Sequence, residues 1–161
     1  EAPAARREVL ASNARGWMEA PSSKDGGPGP ATPVQLASEQ DWPRLQLLLQ
    51  AGAACDAVDD HGRTALHYAG GYGEVAAVCA LCEAGSDVNA ADRTGTTPLH
   101  WACLKGHVAA VDILLSDGRV DAFACATGGI FRGRCALELA THDGAVREVL
   151  LRRLGASVFE L

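Results

Sequence analysis

The chain repeats itself at an interval of 33 residues, and this periodicity constrains its fold more than any other feature. Residues 62–67 (GRTALH) recur as residues 95–100 (GTTPLH). A partial copy stands earlier, at residues 32–37 (TPVQLA), and another follows at residues 133–140 (GRCALELA) after about five additional residues near 125–132. Because a unit of this length cannot bury its apolar face alone, we expect consecutive units to stack into a solenoid.

Each of the two best-matched units carries the signals for two short helices. Thr64 and Thr97 are placed to cap the first helix of their unit. Gly73 and Gly106 follow at the point where a left-handed residue ends a helix. Apolar residues then recur at helical spacing through a second helix in each unit. The predicted helices span 65–72 and 75–83 in one unit, and 98–105 and 108–116 in the next.

The period and the Thr-Pro-Leu-His segment at residues 97–100 resemble the ankyrin repeat. The resemblance implies an all-α fold, a solenoid of stacked helix-turn-helix units with β-turn finger loops. It covers residues 32–155 as four repeats, over 32–59, 60–91, 92–124 and 125–155. We further expect an N-terminal extension over 1–31, with a helix over 4–20 and a flexible linker over 21–31, and a C-terminal tail over 156–161.

The composition restricts the class of partner. Of the 161 residues, 48% are hydrophobic and 21% are charged, which is enough apolar content for a packed domain. The net charge is −6 at pH 7, and a surface of this sign repels a phosphate backbone, so we expect no nucleic-acid partner. Every apolar run ends well short of the ~18 residues of a membrane span, so we expect no transmembrane segment.

The six cysteines are interpreted as free thiols in a reducing intracellular compartment. We expect the protein to be located in the cytoplasm, with a plastid-type organelle as the alternative location. Cys79 and Cys82 form a C-x-x-C pair, but they lie within a predicted helix, whereas a redox thiol gains its lowered pKa at a helix N-terminus. Cys125 and Cys135 flank the additional residues of the fourth unit, and a regulatory disulfide between them is left open.

The sequence shows no sign of catalysis or of a cofactor. The resemblance implies that the rings of His67 and His100 hydrogen-bond the backbone of neighbouring turns. No cysteine or carboxylate recurs beside them at the spacing of a metal site. A nucleophile elbow, a P-loop and a dinucleotide-binding fingerprint are also missing from the sequence. We therefore expect a protein that is not an enzyme, with no catalytic residue, no metal and no cofactor.

The resemblance also implies a binding groove on the concave face, into which each inner helix projects one side chain. In the four repeats this position holds Leu36, Tyr68, Trp101 and Leu139. Four positions later stand Tyr72 in the second repeat and Lys105 in the third. Exposed aromatic residues in a row are typical of binding hot spots, although packing between the inner helices would also account for them.

The tips of the finger loops are expected to form a polar rim around this groove. In the second and third repeats the predicted rim residues are Asp60, His61, Arg63, Arg93, Thr94 and Thr96. In the fourth repeat the lengthened finger adds Ile130 and Phe131, either as a contact to the partner or as a clasp on the preceding repeat.

These features favour a non-enzymatic adaptor or scaffold that binds a partner segment along the concave groove. The partner is expected to be another protein or a peptide with an apolar anchor and, because the repeats are acidic, some basic charge. The alternatives are a chaperone or targeting adaptor for hydrophobic clients, a permanent structural subunit of a large assembly, and a redox protein. Residues 135–140 (CALELA) and 158–160 (VFE) resemble the end of the ankyrin block in the plastid signal-recognition chaperone for light-harvesting proteins, which implies the chaperone alternative.

Overall fold

The computed structural model of the chain describes residues 31–140 and 144–155. Within these ranges the chain forms eight α-helices, one short 3₁₀-helix and no strand longer than an isolated bridge. The predicted N-terminal helix, nearly all of the linker and the C-terminal tail lie outside the described residues. The α-helices are α1 (Pro33–Ser38), α2 (Trp42–Gln50), α3 (Ala65–Tyr72), α4 (Val75–Glu83), α5 (Pro98–Lys105), α6 (Val108–Ser116), α7 (Ala136–Leu139) and α8 (Gly144–Leu154).

Helices α3 to α6 have the predicted bounds, because the local signals that start and end them are strong. Thr64 and Thr97 are the N-caps of α3 and α5. Gly73 and Gly106 end these two helices with φ of 73° and 77°, a conformation that only glycine adopts without strain. Asp41 is the N-cap of α2, and its carboxylate accepts a hydrogen bond from the backbone N–H of Arg44 at 3.3 Å.

The helices form two layers, as the repeat pattern predicts. The inner helices α1, α3, α5 and α7 pack side by side in chain order, and the outer helices α2, α4, α6 and α8 do the same behind them. One continuous apolar core runs between the layers. The leucines that recur at its centre are fully buried: Leu45, Leu66, Leu81, Leu99, Leu114 and Leu150. Within the described residues no helix is both long and apolar enough to cross a membrane.

Small residues let the inner helices α3 and α5 approach each other closely. Ala69 and Ala102 are completely buried at this contact. A Cβ atom at Gly70 would lie 3.0 Å from the carbonyl oxygen of Pro98, so the glycine is needed for the observed separation of the two helices. The neighbouring Gly71 has more space, since its Cβ would meet Trp101 Cβ at 3.8 Å.

Backbone hydrogen bonds join each finger loop to the next one. Arg93 N–H in the third finger donates to His61 O in the second at 3.0 Å. Thr127 and Gly128 in the fourth finger both donate to Thr94 O in the third, at 3.1 and 2.8 Å. The fingers of the last three repeats are therefore hydrogen-bonded to one another and form one continuous surface.

The additional residues of the fourth repeat lengthen its finger. Cys125 and Cys135 face each other across an antiparallel bridge at the base of this loop. Above the bridge, Ala126 N–H donates to Arg134 O at 3.0 Å, and the chain turns through a 3₁₀-helix over Gly129–Phe131. The two flanking cysteines thus lie opposite each other, both as free thiols.

Candidate functional site

Two neighbouring inner helices carry a row of aromatic side chains. Tyr68 on α3 and Trp101 on α5 occupy equivalent positions of consecutive repeats, and Tyr72 and Lys105 follow one turn later. The rings of Tyr68 and Tyr72 are stacked, with centroids 6.4 Å apart and planes inclined by 19°. The ring of Trp42 on α2 meets Tyr72 edge-on at 6.0 Å, a contact that the sequence analysis missed. Tyr72 is still 47% exposed, so the row is open to solvent.

An aspartate of the finger loop holds Tyr68 in place. The Tyr68 hydroxyl donates to Asp59 Oδ2 at 2.6 Å, while Asp59 Oδ1 accepts the backbone N–H groups of His61 and Arg63 at 2.8 and 2.9 Å. Burial acts to raise the pKa of Asp59, but the hydrogen bonds from Tyr68, Arg63 and His61 outweigh it and lower the pKa. The pKa of Tyr68 is raised, by burial and by its bond to the carboxylate.

In the next repeat an aspartate of the finger loop holds Trp101 in the same way. Its Nε1–H donates to Asp92 Oδ2 at 3.3 Å, and Asp92 Oδ1 accepts the backbone N–H groups of Thr94 and Thr96 at 2.8 and 3.0 Å. The pKa of Asp92 is lowered as well, because the bonds from Thr94, Thr96 and Trp101 outweigh burial. In both repeats the aspartate stands nine residues before the aromatic residue, a recurrence visible in the sequence but not used above.

Arg63 lies between the two aromatic side chains. Its Cζ atom is 4.8 Å from the centroid of the Trp101 ring and 5.9 Å from that of Tyr68, which places the guanidinium in cation–π contact with both. Its Nε atom is buried and has no hydrogen-bond partner among the described residues. The Arg63 guanidinium is thus held by stacking and not by a carboxylate.

Two shallow grooves meet at Arg63 and Trp101. The first, of about 190 Å³, lies along the inner helices and is lined by Arg63, His67, Tyr68, Gly71, Tyr72, Trp101 and Lys105. The second, of about 290 Å³, runs over the fingers and is lined by His61, Arg63, Asp92, Arg93, Thr94, Trp101, Gly129, Ile130 and Phe131. Six of the eight predicted rim residues therefore line one groove. Asp60 is exposed but does not line it. Thr96 is buried, so the expectation that it belongs to the rim is corrected.

Two residues of the predicted concave row do not reach the surface. Leu36 is 1% exposed and Leu139 is 4% exposed, so the expectation that they line the groove is corrected. Tyr68 and Trp101 each have a polar end that an aspartate draws outward, whereas a leucine has none and gains most by burial. The accessible row is formed by the second and third repeats, and Trp42 of the first repeat extends it.

The two repeated histidines support the finger loops. His67 Nδ1 accepts the backbone N–H of Thr64 at 3.0 Å, which assigns the ring proton to Nε2, where it donates to Thr96 O at 3.0 Å. His100 Nδ1 accepts the N–H of Thr97 at 3.2 Å, but its buried Nε2 has no hydrogen-bond partner among the described residues. Burial lowers the pKa of both rings and favours their neutral form.

Cys82 and Cys103 lack the lowered pKa of a redox thiol. Burial raises the pKa of Cys82 to about 11 and that of Cys103 to about 12, so both thiols stay protonated at neutral pH. Within the part of the chain that the structure describes, no group of three or more histidine, cysteine or acidic side chains is arranged to hold a metal ion.

Comparison with known families identifies the repeat. A sequence model for ankyrin repeats in three copies matches residues 18–92, and a second for ankyrin repeats in many copies matches residues 71–115. A comparison with curated proteins gave no match. Ankyrin repeats are generally protein–protein interaction modules, and the family is typically non-catalytic. The chain has a 33-residue period, two layers of helices and finger loops that are hydrogen-bonded to one another, and it belongs to the ankyrin-repeat proteins.

Proposed function

We propose that the chain is a non-enzymatic adaptor or scaffold that binds a segment of a partner protein in the two grooves that meet at Arg63 and Trp101. One observation carries this proposal: six rim residues and three aromatic residues of the concave row, all selected from the sequence, line two adjoining grooves. Aromatic and arginine side chains at the centre of a polar rim are the usual composition of a binding hot spot.

The side chains of the aromatic row are preorganised for binding. Tyr68 and Trp101 are each anchored by an aspartate, and Tyr72 is stacked on Tyr68. Side chains fixed in this way lose little conformational freedom when a partner covers them, which favours affinity. Ile130, which is 85% exposed at the tip of the lengthened finger, supplies further apolar area beside the row.

The test is a quantitative pull-down with the full chain as bait. Three baits are compared: the wild type, the double variant Tyr68→Ala/Trp101→Ala, and the control Phe123→Ala. Phe123 is also aromatic and is 60% exposed, but it lines neither groove. We expect a partner that the wild type and the control retain and that the double variant loses, with circular dichroism verifying that all three are folded. Equal retention by all three would place the interface elsewhere.

The alternative functions give different readouts in the same system. A chaperone for hydrophobic clients would bind an apolar transmembrane peptide saturably, and the double variant would lose this binding. A permanent subunit would fail to fold, or would aggregate, when it is produced without its assembly. An adaptor remains folded alone and releases its partner reversibly.

A further inference from the structure

Three cationic side chains line the grooves of a chain whose net charge is −6. Arg63 belongs to both grooves, Lys105 to the one along the helices and Arg93 to the one over the fingers. The ion pairs found among the described residues join Arg44 to Asp41, Arg119 to Asp117 and Arg153 to Asp112. Within that part of the chain, none of the three groove cations lies within ion-pair distance of a carboxylate.

The two carboxylates that anchor Tyr68 and Trp101 are already committed to other donors. Asp92 accepts hydrogen bonds from Thr94, Thr96 and Trp101, and Asp59 accepts them from His61, Arg63 and Tyr68. The hydrogen bond between Asp59 and Arg63 comes from the backbone N–H of Arg63 and leaves the guanidinium without a carboxylate. Among the described residues, the grooves therefore present cations that have no ion-pair partner beside carboxylates that already accept several hydrogen bonds.

Arg63 is oriented for an incoming anion. Its guanidinium is stacked against Trp101 at 4.8 Å, which holds its plane without pairing it to a carboxylate. A planar guanidinium matches the two oxygens of a carboxylate, and a pair formed partly out of water is stronger than one on an open surface. Lys105, on the helix that carries Trp101, adds a second positive charge to the same groove.

We infer that the grooves bind a peptide segment of the partner in which an acidic side chain stands next to an apolar or aromatic one. The carboxylate pairs with Arg63 and Lys105, and the apolar side chain packs on Trp101, Tyr72 and the Ile130 finger. This inference rests on the proposed function and refines it. The inferred partner segment is acidic, whereas the net charge of the chain predicts a partner with basic charge. A net charge does not distinguish free carboxylates from carboxylates that already accept hydrogen bonds.

Fluorescence anisotropy with labelled peptides tests the inference on the full chain. One Gly-Ser peptide carries a central Glu-Leu-Glu-Phe, a second carries Lys-Leu-Lys-Phe, and a third carries Glu-Gly-Glu-Gly. We expect the first peptide to bind at least tenfold more tightly than either of the others. Arg63→Gln and Lys105→Gln should each weaken its binding, by about tenfold or more for Arg63.

Arg147→Gln is the matched control, because Arg147 is an exposed cation on α8 that lines neither groove. It should leave the affinity for the Glu-Leu-Glu-Phe peptide unchanged. Since Lys105 is exposed, its variant also tests the inference if Arg63→Gln disturbs packing. Circular dichroism of each variant verifies the fold.

The outcomes separate this inference from the proposed function. If the lysine-containing peptide binds as tightly as the acidic one, or if Arg63→Gln and Lys105→Gln bind the acidic peptide like the wild type, the inference is overturned. If in that case Tyr68→Ala/Trp101→Ala abolishes binding of the lysine-containing peptide, the groove still functions as proposed. If the double variant changes the binding of none of the peptides, both proposals fail.

Discussion

The Tyr68 hydroxyl donates a 2.6 Å hydrogen bond to Asp59, nine residues earlier in the chain. The bond ties an inner helix to the finger loop that precedes it, and Trp101 and Asp92 repeat the arrangement one unit later. A residue exposed toward the groove is thereby part of the local framework. Stability and binding are linked at this position, so the two have to be measured separately.

Removal of the Tyr68 hydroxyl should weaken the fold slightly. Tyr68→Phe keeps the ring but leaves Asp59 without this donor, and we expect the free energy of unfolding to fall by about 1 kcal/mol. Urea denaturation followed by circular dichroism measures the change. Tyr72→Phe is the matched control, because the Tyr72 hydroxyl makes no hydrogen bond to any of the described residues, and it should behave like the wild type. An equal loss in both variants would show that the Asp59 bond contributes nothing.

Gly70 and Gly71 should respond to alanine with opposite signs. At Gly70 the new methyl group would press on the Pro98 carbonyl oxygen at 3.0 Å, which forces α3 and α5 apart and should cost about 1–3 kcal/mol. At Gly71 it meets Trp101 at ordinary contact distance, and replacing a helical glycine should stabilise by up to about 1 kcal/mol. Thermal unfolding of the two single variants measures both. If Gly70→Ala were as stable as Gly71→Ala, the close approach of the helices would not be required.

The buried histidines should make the chain less stable as the pH falls below neutral. Burial lowers the pKa of His67 and His100 in the folded state, so the unfolded chain binds protons first, below about pH 6.5. Their contribution to stability is complete above that pH and declines below it, by at most about 1.4 kcal/mol per pH unit for each ring.

Unfolding free energies at pH 7.5 and pH 5.5 test this slope. His67→Gln should show a smaller decline than the wild type. Asp59 and Asp92 do not contribute to the slope in this window, because their lowered pKa values put their loss of stability below about pH 4. A variant that declined as steeply as the wild type would contradict the assignment to His67.

Cys125 and Cys135 should form a disulfide when the chain is treated with hydrogen peroxide. Residues that face each other across an antiparallel bridge of this type are about 4.5 Å apart at Cα, which is within the range of a disulfide. One thiol is oxidised to a sulfenic acid as the peroxide is reduced to water, and the second thiol then displaces a further water. Mass spectrometry should record the loss of two hydrogen atoms within the fourth finger, and Cys125→Ser should prevent it. Persistence of the same loss in Cys125→Ser would assign the disulfide to other cysteines.

The helices and the position of the grooves could be predicted because their signals are local and repeated. Threonine caps and helix-ending glycines at a fixed interval define α3 to α6, and the same interval identifies Tyr68 and Trp101 as equivalent. The burial of Leu36 could not be predicted in this way, since the repeat gives its position along the helix but not how far the side chain reaches.

Contacts between residues at different positions of the repeat could not be predicted from the sequence either. The contact between Trp42 and Tyr72 has no signal in the sequence, because the two residues lie in different repeats and in different layers of helices. The stacking of Arg63 on Trp101 depends on the packing of a finger against an inner helix, and no spacing rule in the sequence relates the two.

The hydrogen bonds between fingers have a consequence for the entropy of binding. Arg93 donates to His61, and Thr127 and Gly128 both donate to Thr94, so the three loops are ordered together before any partner arrives. A segment that spans them meets one rigid platform and does not have to immobilise three independent loops. Cutting one of these bonds, even at a finger that the partner never touches, should therefore speed dissociation across the whole surface.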